Sequence, residues 1–130
     1  MATSARADEK AHQHESHADH ILMGYLKVAD ALANDNLDDA KEAAAKIADL
    51  DKESSSAPAA GALAKSSSLE EARDHFKALS KAAISLAGDK EGYHVIACPM
   101  VKDGQWLQKD TTVKNPYKGQ KMLGCGNVKS

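Results

Sequence analysis

The feature that most constrains this chain is a run of apolar residues at Leu69, Ala72, Phe76, Leu79, Ala83 and Leu86. Its steps of three and four form a heptad seam, the mark of one face of an α-helix. Ser68 suits the N-cap, Glu71 completes a capping box, and Gly88 stands where a C-terminal glycine cap belongs. A helix with one apolar stripe has to bury it, so partner helices are expected nearby.

The sequence supplies them upstream. Leu22, Tyr25, Leu26, Ala29, Leu32 and Ala33 recur at helical spacing, after a cap-like Ser16 and Asp19. Asn34-Asp35-Asn36 breaks this helix and caps a second one, where Leu37, Ala40, Ala44, Ile47 and Leu50 share a face. So short a loop makes the two antiparallel. Pro58 suits a first helical position and predicts a short helix over 58–65, with the flanking serine triplets read as linker. Ala, Lys, Asp and Glu dominate the 130 residues, and aromatic residues make up 4%. A core of Ala and Leu favours helices over sheets. The expected fold class is mainly α: a small antiparallel helical bundle of three or four helices. Residues 1–15 read as a flexible tail and 16–130 as a single domain.

The character changes at Tyr93. Pro99, Gly104, Pro116, Gly119, Gly124 and Gly126 punctuate the rest of the chain, too densely for a helix to persist. Tyr93 to Ala97 reads as a short strand, with Gln105-Trp106-Leu107 as its hairpin partner and Asn115-Pro116-Tyr117-Lys118-Gly119 as a turn. This segment, 93–128, holds two of the three Tyr, the one Trp and both Cys. It is expected to pack on the bundle as an irregular tail with a short β-hairpin.

Charge excludes some partners. The formal net charge is −2, with Lys and Arg interleaved among Asp and Glu, so the basic footprint of a nucleic-acid binder is missing. No apolar run is long enough to span a membrane. Nucleophile-elbow, zincin, P-loop and dinucleotide fingerprints are absent, so an enzyme is not expected.

The chemistry-bearing residues are Cys98-Pro99-Met100 and Met122-Leu123-Gly124-Cys125-Gly126. They place two thiols and two thioethers in short segments. Soft sulfur ligands select Cu(I), and thioethers, poor ligands for Zn(II), tilt the choice to Cu(I) or its analogue Ag(I). Cys98, Met100, Met122 and Cys125 are therefore candidate ligands. An equal alternative is a Cys98–Cys125 disulfide, worth roughly 3–4 kcal/mol in the chain-entropy model, with the methionines as core filling. The absence of a CxxC motif argues against a thiol-redox or cupric-reductase enzyme.

Histidine gives a second signal. His12, His14, His17 and His20 form a His-rich end that would hold Cu(II) or Zn(II) weakly. His94 lies four residues before Cys98 and is a candidate ligand. His75, beside the heptad seam, could meet His20 if the first and last helices ran parallel.

Taken together, Cys98-Pro99-Met100, Gly104-Gln105-Trp106-Leu107-Gln108, Asn115-Pro116-Tyr117, Gly119, Met122-Leu123 and Cys125-Gly126 resemble a bacterial domain family of uncharacterised function. Its members occur as stand-alone exported proteins and at the C-terminal end of periplasmic adaptors of Cus-type copper/silver efflux systems. The resemblance covers about residues 20–128. Tyr25-Leu26, Ala31-Leu32-Ala33, Arg73-Asp74, Phe76 and Leu79-Ser80 carry it upstream. It implies a periplasmic protein whose signal peptide has been removed, and a role in copper or silver resistance. Its implied partners are the metal ion and a periplasmic efflux adaptor or other copper-trafficking protein. Val101 stands where the heavy-metal motif Tyr-x-Cys-Pro-Met-His-Pro has His, so that motif is not carried over. The expected function is periplasmic copper(I) binding; the alternative is a disulfide-stapled helical module of an envelope or efflux complex, without metal.

Overall fold

A computed structural model describes residues 2–50, 52–88 and 90–129, with side chains from residue 18 onward. Four α-helices precede a small sheet: α1 (Ala2–Ala33), α2 (Leu37–Leu50), α3 (Ala57–Ala64), α4 (Leu69–Ala87), β1 (His94–Ala97), β2 (Gln105–Gln108), a 3-10 helix (Gly119–Met122) and β3 (Asn127–Val128). The mainly α expectation holds, with a short β tail.

The helices end where local chemistry dictates. Asn36 caps α2, its Oδ1 accepting from the Asp39 N–H at 3.1 Å. Ser68 caps α4, accepting from Glu71 N–H at 3.1 Å, while Glu71 takes the Ser67 N–H at 2.7 Å. Gly88 closes α4 at φ 51°. Two boundaries differ from expectation. The α1 helix begins at Ala2 rather than near Ser16, because no Pro or Gly interrupts the residues before Gly24. The serine triplets are not mere linker: Ser56 and Ser66 are buried, and Ser66 Oγ donates to Ala62 O at 3.3 Å.

Because α3 is a full member of the bundle, α4 runs antiparallel to α1. Tyr25 meets Ser80, Leu32 meets Arg73, and Asp19 pairs with Lys90. Leu22, Val28, Leu32, Ile47, Leu63, Phe76 and Leu79 fill the core between the helices.

The tail packs on this bundle through aromatic contacts. Tyr25 stacks on Phe76 at 5.2 Å, Phe76 meets Tyr117 at 5.4 Å, and Tyr117 meets Trp106 edge-on at 6.0 Å. The Leu107 N–H donates to Tyr25 Oη at 3.1 Å, and Tyr117 Oη donates to the Gln105 carbonyl at 2.7 Å. Arg73 fastens the other side. Its guanidinium donates to Leu32 O, Pro116 O and Asp35 Oδ1 at 2.7–2.8 Å. Gly119 lies directly under this clamp at φ 64°, where a side chain would collide with Asp35 and Arg73.

The sheet is antiparallel in the order β2-β1-β3. The expected hairpin forms, with Ile96 opposite Trp106 and Ala97 opposite Gln105. The third strand was not anticipated; it sets Ile96 opposite Val128 and Ala97 opposite Asn127.

Candidate functional site

Two turns carry the cysteines. After β1 the chain reverses through Cys98-Pro99-Met100-Val101, with Val101 N–H donating to Cys98 O at 3.3 Å. Proline at the second position pre-sets that turn. Cys98 N–H still reaches the Gly104 carbonyl at 2.8 Å, so Cys98 extends the β1–β2 ladder by one residue. The second turn, Met122-Leu123-Gly124-Cys125, closes with Cys125 N–H on Met122 O at 3.1 Å.

Strand β3 brings the two turns together. Continuing the β1–β3 register by one residue places Gly126 opposite Cys98, with Cys125 just beyond. A Cβ on Gly126 would sit 2.9 Å from Trp106 Cη2 and 3.0 Å from Ile96 Cγ2 and Val113 Cγ1, so glycine alone lets the strands close here. The result is a Cys98 Sγ to Cys125 Sγ distance of 3.9 Å. Both are free thiols, Cys98 buried and Cys125 half-buried.

Asn115 organises the pair from behind. Fully buried, it accepts the N–H groups of Tyr117 and Lys118 on Oδ1 at 2.8 and 3.0 Å, and donates from Nδ2 to the Cys125 carbonyl at 2.6 Å. Its amide also favours the ionised form of the neighbouring Cys98 thiol.

Burial pushes the Cys98 thiol up, but Asn115, the Met100 N–H, the Cys125 thiol and the Lys118 charge together outweigh it and hold the group below its ordinary value. Cys125 moves the other way: burial and the neighbouring Cys98 push it up, with Lys118 opposing. Cys98 is thus the first to ionise. A thiolate beside a thiol, set on backbone and amide donors, is a nucleophile or a soft metal ligand.

The other candidate residues lie elsewhere or only flank the pair. Met100 and Met122 sit on the two cysteine turns with side chains 61% and 38% exposed, rather than buried as core filling. His94 starts β1, and four steps along the strand, about 13 Å of backbone, separate it from Cys98. That spacing sets His94 at the opposite end of β1 from the thiols. The antiparallel course of α1 and α4 also separates His20 from His75, because His20 lies towards the far end of α4. The shared His20–His75 site required parallel helices and does not form; His20 is exposed and His75 half-buried on its own helix. The side chains of His12, His14 and His17 lie outside the described residues. Among the described residues no three His, Cys, Asp or Glu gather into one cluster.

Sequence reasoning passed over Asn115 and Lys118 as turn residues. The available signal was Asn-Pro at the head of the turn, since asparagine side chains commonly bond the backbone N–H groups that follow. Trp106 is fully buried under Gly126 with its N–H on Gln108 Oε1 at 2.8 Å.

Comparison with known proteins adds one match. Residues 21–91, more than half of the chain, fit the family model described as "Protein of unknown function (DUF3347)". The match covers the bundle from within α1 to the end of α4 and stops short of the thiol pair. No curated protein and no solved structure matches. Among the described residues no helix is long and apolar enough to cross a membrane.

Proposed function

Since the chain belongs to the DUF3347 family, we propose from its own residues that it is a periplasmic copper(I)-binding protein that holds the ion or passes it to an efflux system. The observation that carries this reading is the 3.9 Å gap between the two sulfurs. With a metal–thiolate bond of about 2.3 Å, two sulfurs so spaced subtend an angle of roughly 115° at the ion. That angle lies between trigonal and tetrahedral and leaves room for a further ligand.

The donor chemistry agrees. Two thiols of opposed acidity supply one thiolate readily and a second once the ion displaces its proton. Thiolates select Cu(I), and its analogue Ag(I), over hard cations. Met100 and Met122 are exposed on the same two turns, where a thioether can enter and leave the coordination sphere as the ion moves on. Asn115 and Lys118 serve the pair without binding the ion: the first orients it, the second offsets its negative charge. The resemblance of the tail to domains of periplasmic copper/silver efflux adaptors supports the location and the partner.

Chelator competition on the fully reduced protein tests this. Cys98→Ser combined with Cys125→Ser should abolish high-affinity Cu(I) binding, and unchanged affinity would end the reading. A thiol count on freshly purified protein separates the alternative of a disulfide-stapled module, which predicts no free thiol and no metal.

A further inference from the structure

Cys98 forms part of the wall of a cleft of about 610 Å3 between α4 and the β1–β2 hairpin. Lys77 and Lys81, one helical turn apart on α4, line it together with Lys129, and Asp103 is the single opposing charge. Among the described residues none of these three lysines is ion-paired. Gln105, exposed at the start of β2, adds a hydrogen-bonding side chain to the wall. The surrounding segment is basic as well: residues 93–129 hold six Lys against two Asp, in a chain whose net charge is −2.

The volume is that of a small-molecule site. A concave wall with unpaired ammonium groups selects an anion, and low-dielectric sides concentrate that selection. Cys98, buried behind the same wall, points to a ligand that carries sulfur. We infer that this cleft receives a small anionic thiol, its carboxylates held by Lys77, Lys81 and Lys129 and its sulfur beside Cys98. From there the ligand exchanges copper(I) with the pair: one Cu–S bond forms as another breaks, the ion keeps its charge, and any thiol proton passes to solvent. The exchange step rests on the copper reading above; recognition of the anion does not.

Two measurements on the full-length reduced protein separate these. The first uses no copper. Thiol reaction rates are compared for dithiobis(nitrobenzoate), a dianionic disulfide, and cystamine, a dicationic one. Replacing Lys77, Lys81 and Lys129 together by Gln should lower the anionic-to-cationic rate ratio about tenfold, and Asp103→Asn should raise it. A ratio indifferent to both changes overturns the inference. The second uses the Cu(I)-loaded protein and a coloured chelator. Mercaptosuccinate should speed transfer of the ion beyond cysteamine, and succinate should not. If cysteamine matches mercaptosuccinate, or succinate does, the anionic-thiol assignment is overturned. If the protein takes up no copper at all, the copper reading fails while the first measurement still decides the cleft.

Discussion

Cys98 and Cys125 face each other sulfur to sulfur at 3.9 Å, and their surroundings drive the acidities of the two groups apart. An absorbance titration of thiolate in the reduced protein should therefore rise in two separated steps, one on each side of the ordinary thiol value of about 8.5. Asn115→Ala removes an amide that favours the Cys98 thiolate and should move the first step upward. The same change leaves the buried N–H groups of Tyr117 and Lys118 without an acceptor, so a loss of about 3 kcal/mol is expected in urea unfolding. A single unsplit step in the native protein would show that the pair does not interact.

Asp35 and Arg73 give the acid side of the stability curve. The Arg73 guanidinium at 2.7 Å holds the Asp35 carboxyl below the usual carboxylate range, and the Gln120 N–H adds to the effect. A carboxyl depressed in the folded state stabilises the fold above its unfolded pKa of about 3.9 and loses that contribution as pH falls through the folded value. The melting temperature should thus fall on acidification. Asp35→Asn should lower it near neutral pH and flatten the acid limb; an unchanged limb would remove Asp35 from the account.

The bundle was legible because helix burial follows a period, and the period even explains its own error. Ala72, Phe76, Leu79 and Ala83 are buried as the heptad requires, yet Leu86 is 38% exposed and Ala87 takes its place. A straight helix has 3.6 residues per turn rather than 3.5, so over two heptads the buried stripe drifts by about 40°. The relation of His20 to His75 could not be read in the same way. It turns on whether the short α3 counts as a bundle member, since one added helix reverses the direction of the next. The meeting of the thiols was hidden for another reason. It depends on β3, two exposed residues whose pairing comes from backbone hydrogen bonds and leaves no hydrophobic pattern.

The two glycines flanking Cys125 should respond oppositely to the same change. A methyl at Gly126 meets Trp106, Ile96 and Val113 at 2.9–3.0 Å, whereas a methyl at Gly124 meets nothing within 4 Å. Gly126→Ala should cost about 1–3 kcal/mol by overpacking and shift Cys125 away from Cys98, weakening Cu(I) binding. Gly124→Ala should be neutral or slightly stabilising, because it restricts the unfolded chain without a clash. Parallel urea melts and chelator competitions check both, and equal effects at the two positions would contradict the close approach of β3.

Tyr25 joins bundle to sheet, and its hydroxyl can be removed without touching the thiols. Buried completely, Tyr25 Oη accepts the Leu107 N–H at 3.1 Å and shares a 2.7 Å hydrogen bond with Ser80. Tyr25→Phe keeps the ring stacked on Phe76 but leaves the Leu107 N–H orphaned in a dry interface, at an expected cost of about 1–3 kcal/mol. Ser80→Ala leaves the Leu107 contact in place and should cost less. Both variants should retain the two-step thiol titration, since the hydroxyl acts on β2 and the cysteines are set by β1 and β3. Amide exchange offers the sharpest readout: the Leu107 N–H should lose protection in Tyr25→Phe and keep it in Ser80→Ala. Equal protection of Leu107 in the two would mean that the hydroxyl does not anchor the sheet.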